Sequence, residues 1–394
     1  MYLATGDKVQ WATDYTGWGD HPLVFQRGYN LRTSQPMSAF GHSWASRIDA
    51  YAYVSAATDH AMVVLEGGQA YRFYFGSGSY GSWGEIRPDK LVRIDASTLR
   101  WASSSGEEFT FIKSDIANKY KLTSWRAADG YTWTLTRDAS FRVSAVTDSF
   151  GRQMTFTWTD GVVSRINAPG LVIDYEYQAV PTANPGIFGP KRLIRVTRSA
   201  PGGGQARSVQ YHYEDPRYDF ALTGITDERG VRSATYTYDD ALRVVVSEGA
   251  GGANRHEVAY NTTANTRTVT GPLGRTDVYN FATRGGRLTL TSVNGQATPA
   301  CPASTRSQSY STQAFITGRV DEEGRSTTYL RDANGKEISR TEAAGTPVAR
   351  TLTTTWHAGR PLPTQTTEPG LTTAYTYDAQ GRLLTQTETD TTGN

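Results

Sequence analysis

One turn recurs along this chain, and it restricts the fold more than any other feature. Asp148-Ser149-Phe150-Gly151-Arg152 is followed, five residues after its glycine, by Phe156. Asp321-Glu322-Glu323-Gly324-Arg325 leads to Tyr329 across the same interval, Gly271-Pro272-Leu273-Gly274-Arg275 to Tyr279, and Glu368-Pro369-Gly370 to Tyr375. Asp227-Glu228-Arg229-Gly230-Val231 reaches Tyr236 one residue later. Gly230, Gly274, Gly324 and Gly370 are 44, 50 and 46 residues apart, with weaker half-repeats near Tyr260 and Trp356 between them. The unit is therefore about 20–25 residues, one hairpin of chain. In such a unit Asp accepts backbone N–H bonds and Gly supplies a positive φ. The Arg that follows lays its stem over neighbouring rings. Tyr236-Thr237-Tyr238-Asp239 and Tyr375-Thr376-Tyr377-Asp378 then put two rings on one face of a strand, because side chains alternate. Gly381-Arg382 follows the second of these and closes one full cycle. Stacked repeats predict aligned rows of tyrosine rings, each cross-strand pair contributing roughly 0.2–1 kcal/mol.

Between the turns, apolar positions recur with period two, not 3.6, and no amphipathic helix of three turns is legible. Ala61–Leu65 and Ala70–Phe75 flank Glu66-Gly67-Gly68-Gln69 as a hairpin. Met154–Thr159 and Val162–Ile166 flank Asp160-Gly161, the pair favoured by a two-residue type I′ turn, which sets Trp158 opposite Val163. Two styles of sequence are present. Eight of the nine Trp lie at or before Trp158. The expected division is a Trp-rich β module over 1–147 and a repeat region over 148–394. Runs such as Arg232–Tyr238 and Leu288–Val293 carry only a modest apolar face. A sheet wet on much of both sides suits solenoids, propellers or coiled walls better than a sandwich.

Composition excludes several classes. Aromatics make up 11% of the residues, too many for ordinary disorder. A net charge of +2 implies no strong attraction to nucleic acid. The single cysteine, Cys301, permits no internal disulfide. No apolar run approaches the roughly 18 residues of a membrane helix, and the first residues do not read as a signal peptide.

Asp-x-x-Gly-Arg, Tyr-x-Tyr-Asp and Gly-Arg-Leu, in this order, resemble the YD repeat of bacterial Rhs proteins and of the related teneurin and insecticidal-toxin-complex shells. The likeness is strongest at 225–243, 321–340 and 366–386. Thr5–Val9, Thr13-Asp14-Tyr15, Pro22–Asn30 and Phe40–Trp44 resemble the module that precedes these repeats in Rhs proteins. The resemblance implies an all-β fold. An extended antiparallel sheet of repeat hairpins spirals into a partial hollow shell, and an N-terminal β-rich module caps it, covering an otherwise open edge. It implies partners absent from this chain: further C-terminal repeats, a toxin or effector released on delivery to a competitor cell, and the secretion machinery that exports it. Location would then be outside the producing cell or on its surface. The chain stops within the repeats and lacks the family's Asp-Pro-x-Gly segment, since Asp215-Pro216 continues with Arg217-Tyr218. The expectation is a fragment, a truncated reading frame or one piece of an assembly.

Candidate chemistry is sparse. Gly41-His42-Ser43-Trp44-Ala45 only echoes a Gly-x-Ser-x-Gly elbow, without the strand before or helix after; the plainer reading is a strand with a buried Trp44. His21, His42, His60, His212, His256 and His357 show no helical ligand spacing, so no metal and no cofactor is expected. Asp227-Glu228 and Asp321-Glu322-Glu323 are the densest carboxylates, but they sit in turns. Pro201–Gly204, Gly249–Gly252, 181–186 and 299–302 read as loops. Trp18, Trp83 and Trp101 are candidate sugar platforms, although such rings more often fill β-cores. The expected function is a non-enzymatic shell segment. The alternatives are a carbohydrate-binding or adhesion module and, behind it, a carbohydrate-active enzyme. The residues expected to carry the structural role are Gly151, Arg152, Gly230, Tyr236, Tyr238, Asp239, Gly274, Arg275, Tyr279, Gly324, Arg325, Tyr329, Gly370, Tyr375, Tyr377, Asp378, Gly381 and Arg382.

Overall fold

The computed structural model describes residues 2–32, 37–55, 60–76, 79–82, 89–103, 105–180, 191–284, 287–312, 314–332, 335–358, 360, 362–379 and 381–392. The chain is nearly all β, with 60% strand and 3% helix. The helical residues lie in short 3-10 turns such as Arg47–Asp49 and Glu66–Gly68. From Tyr51–Val54 to Leu383–Asp390, every strand pairs antiparallel with the next. The long sheet as a whole is open.

At one place the ribbon returns on itself. Strand Lys119–Arg126 pairs through Ser124–Arg126 with Thr132–Arg137, and through Lys119–Lys121 with Tyr51–Val54. A bulge at Thr123 separates the halves, since Phe111 pairs with Leu122 and Thr110 with Ser124. A bulge bends a strand and re-aims its edge. The strands from Tyr51 to Arg126 thus form a local ring, from which the rest of the ribbon departs.

The predicted hairpins are present. Asp160 and Gly161 have φ of 49° and 80°, and Trp158 faces Val163. Both positive values are what a type I′ turn needs, and they match the twist of the flanking strands. Pairing also runs through residue 148 without interruption, since Val143–Asp148 pairs with the strands on either side.

The first residues are not part of the ribbon. Val9–Thr16, Val24–Asn30 and Trp44–Ser46 form a separate three-stranded sheet. It lies on the inner face of the ribbon, so the cap covers a face and not the edge expected. Alternation directs the ribbon side chains: Trp133 and Leu135 are buried, whereas Thr134 and Thr136 are exposed. Phe25, Tyr29, Phe40 and Trp44 of the cap meet Phe156, Tyr175, Tyr211 and Tyr213 of the wall in one aromatic core. That core ends near Val244. Beyond it, few side chains are buried, and every residue of Leu383–Asp390 is exposed. The expectation of a sheet wet on both sides therefore holds for the later ribbon and fails for the earlier part, where the cap excludes water.

Candidate functional site

The repeat turn is a small hydrogen-bonded cage. In Asp148–Arg152 one carboxylate oxygen accepts the N–H groups of Phe150 and Arg152, both at 2.9 Å, while the other accepts Arg152 Nε at 2.7 Å. Gly151 has a φ of 79°. Asp321 repeats this with Glu323 N, Arg325 N and Arg325 Nε at 3.1, 2.8 and 2.7 Å. The Arg325 guanidinium holds its carboxyl below the ordinary range. Asp239 does the same with Arg243, although Leu242, φ 58°, stands where glycine would be expected. Asp378 receives Arg382 N and Nε. In Asp227 the guanidinium comes from Arg229. Arg275 has no turn aspartate and instead donates to Asp277 and to Ser304 Oγ. The dominant role of the repeat arginine is thus to close its own turn. Only some also cover a ring, such as Arg243 over Tyr260 at 4.5 Å.

The tyrosines depart from expectation. The ring–ring contacts found among the described residues lie upstream of residue 221. In the repeats the aromatic polar atom hooks a backbone carbonyl at the start of the neighbouring strand or near it. Tyr238 donates to Leu222 O at 2.6 Å, Tyr260 to Val244 O at 2.7 Å, Trp356 to Glu337 O at 2.8 Å and Tyr377 to Pro363 O at 2.8 Å. The physical reason is position: each ring lies near a strand end, where ladder bonding stops and carbonyls remain to be satisfied. Side-chain hooks, not stacked rings, are the seam.

The wall meets its cap through a buried ion pair that sequence reading missed. Asp14 and Arg27 have fully buried side chains and form a bidentate pair, whose Nη2–Oδ1 arm is 2.9 Å. Tyr175 and Arg198 also donate to Asp14, at 2.8 and 3.1 Å, and Arg27 donates to Tyr211 at 3.2 Å. The guanidinium lies 4.6 Å from the Trp44 ring. Burial opposes the Arg27 charge, yet the Asp14 carboxylate holds the proton on well above the ordinary arginine value. Nothing in local spacing announces this pair; it joins residues 13 apart in sequence to wall strands more than 140 residues away. Further clamps run along the cap. Tyr29 donates to Phe220 O at 2.9 Å and Trp44 to Tyr213 at 3.0 Å. Tyr236 donates to Gln10, and Arg267 to Ala4 O at 2.8 Å.

The other sequence candidates fall out plainly. Ser43, φ 64°, is buried beside His42, in a crossing between short strands and not in an elbow. Gly41, φ 84°, is needed because a Cβ there would strike the carbonyl of Lys191. Glu228 is engaged by Arg198 and Glu322 by Arg306, so these carboxylates serve ion pairs. Trp101 is 1% exposed and stacks on Phe109 at 4.8 Å, which corrects its reading as a sugar platform. Trp18 is 69% exposed. Trp83 and the loop at 181–186 lie outside the described residues. Among the described residues no three His, Cys, Asp or Glu side chains could share a metal ion, and no helix is long and apolar enough to cross a membrane.

A family model described as a domain of unknown function, DUF6531, matches residues 2–73, and one described as RHS Repeat matches 356–394. No curated protein matches. Among solved structures, a Photorhabdus luminescens Tc holotoxin pore aligns over 84% of this chain and 19% of its own, at 12% identity and a TM-score of 0.45. The TcdB2-TccC3 complex with Cdc42 aligns over 98% and 19%, at 12% identity and a TM-score of 0.44. TcdB2-TccC3 without its hypervariable C-terminal region gives 98% and 19%, at 10% identity and 0.45. The chain spans about a fifth of the length of these solved chains.

Proposed function

We infer that this chain, a protein of the Rhs/YD-repeat kind by its DUF6531 segment and its RHS repeat, builds a wall that encloses or presents a toxin or effector C-terminal to the repeats. The observation that carries the reading is the unbroken strand-to-next-strand ladder from Tyr51 to Asp390. A ladder of that length with one covered face makes a surface, not a compact domain. Its early part is filled by its own cap. Its later part presents half-buried rings and cations, such as Arg284 at Tyr310 and Lys336 at Trp356, to whatever lies beside it. The role is non-enzymatic on this reading, and export beyond the producing cell through a dedicated secretion system follows from it. The division into a Trp-rich β module over 1–147 and a repeat region over 148–394 is proposed on the change of sequence style there. Trp18, exposed, and Trp83 are the candidate rings kept for the carbohydrate reading, which a glycan array tests. Limited proteolysis of the full gene product tests enclosure. Any segment C-terminal to the wall should resist cleavage until the wall is opened by denaturant. A segment cut as fast as a free peptide would overturn it.

A further inference from the structure

We propose that the cavity at the seam, where Tyr51–Val54 returns to Lys119–Arg126, binds a small tetrahedral oxyanion of the phosphate class. The local structure builds this site from period two. On Lys119–Arg126, Tyr120 and Leu122 turn into the core. Lys119 and Lys121 therefore share the opposite face, paired in register with Tyr53 and Tyr51. The 3-10 turn Arg47–Asp49 and the turn Asp138–Arg142 fold over that face and leave a cavity of about 240 Å³. A water occupies roughly 30 Å³ of liquid, so the space holds a hydrated tetrahedral anion with room to spare.

The charges around it do not balance. Lys119, Lys121 and Arg137 line the cavity, with Arg142 beside them. Arg142 is engaged by Asp138 at 2.8 Å. Asp49 is the carboxylate of the lining, and its oxygens already accept Ala39 N at 2.7 Å and Ser46 N at 2.9 Å. Asp115 acts on both lysines through space. Arg137 spends most of its donors on the carbonyls of Leu122, Phe141 and Ile48, at 2.7, 2.8 and 3.5 Å, so it supplies mainly charge. The two ammonium groups differ. Lys119 Nζ stands 4.0 Å over the Tyr51 ring, and Lys121 Nζ reaches Phe141 O only at 3.4 Å. Each ammonium has three donors, so several remain to face the cavity. Burial pulls both lysines below the ordinary amine range and Arg137 to about 10, outweighing the upward pull of Asp49 on all three, of Asp115 on the lysines and of Asp138 on the arginine. An oxyanion bridging the lysines would supply both acceptors and charge, in charge-assisted hydrogen bonds. This inference is independent of the shell reading.

The test uses the whole chain with inorganic phosphate as probe, titrated at constant ionic strength against chloride. Calorimetry should give saturable binding to phosphate and none to chloride. The double variant Lys119→Gln, Lys121→Gln should bind about tenfold more weakly or worse, as expected for losing charged hydrogen bonds. Lys113→Gln, on an exposed lysine of the neighbouring strand, should bind as the parent does. Should the double variant fail to fold, the side-chain resonances of Lys119 and Lys121 in the parent should shift and saturate with phosphate. A response that never saturates, that chloride reproduces, or that leaves both lysine signals unmoved overturns the proposal.

Discussion

At the scale of single residues, buried charge decides most. Asp14 and Arg27 pair fully buried within the cap, and Tyr175, Arg198 and Tyr211 of the wall bond to them. Breaking such a pair leaves a lone buried charge and costs about 3–5 kcal/mol, whereas replacing both partners by apolar groups costs far less. Arg27→Met should therefore lower the denaturant midpoint sharply, and Asp14→Leu with Arg27→Met should recover much of the loss. Equal destabilisation by the single and double variants would contradict the pairing. Lys8 gives a pH signature. It is 6% exposed, packs 3.7 Å from the Tyr236 ring centre, and is pulled by burial to about 8. Its folded value lies below its unfolded one, so the unfolded chain binds more protons between the two. Stability attributable to Lys8 is thus lowest below pH 8 and rises as pH climbs toward 10.5. By pH 9.5 the gain should reach about 2 kcal/mol. Chemical unfolding at pH 7.5 and 9.5 should show that rise in the parent and its loss in Lys8→Met.

At the scale of elements, the turn cage and the carbonyl hook define the repeat. Glycine is required for two different reasons. Gly324, φ 80°, has open space around the position of a Cβ, so only backbone strain resists substitution. Gly324→Val should cost about 1–3 kcal/mol. Gly41→Ala adds a collision with the Lys191 carbonyl to the same strain and should cost more. Thermal melts of the two variants should rank them in that order; an unchanged melt for Gly324→Val would refute the turn. The Asp239 turn shows how far the rule bends. Leu242 accepts a positive φ because the aspartate and Arg243 over-determine the loop.

At the scale of the molecule, one ladder carries two environments. Strands up to Val244 bury side chains in the core they share with the cap, whereas every residue of Leu383–Asp390 is exposed. Opening free energy follows buried contacts and protected backbone bonds. Native-state hydrogen exchange should therefore show strong protection over 143–179 and 191–199 and weaker, separately opening protection over 371–377 and 383–390. Uniform protection along the ribbon would contradict the two-zone description. The outer edge of Leu383–Asp390 has no partner strand among the described residues, and such edges recruit strands from other chains. Sedimentation should show association that rises with concentration.

Much of this was legible in the amino-acid sequence. Period-two alternation and the Asp-x-x-Gly spacing determined the strands, the hairpin register at Trp158 and Val163, and the turn chemistry, because those depend on neighbours within a few residues. The tertiary structure alone decided the rest. The cap's seat on the wall's inner face, the Asp14–Arg27 pair, the burial of Trp101 and the lysine-lined seam all join distant parts of the chain. Sequence spacing carries no record of which strands a curving sheet brings together, since that depends on accumulated twist, on bulges such as that at Thr123, and on what fills the space inside.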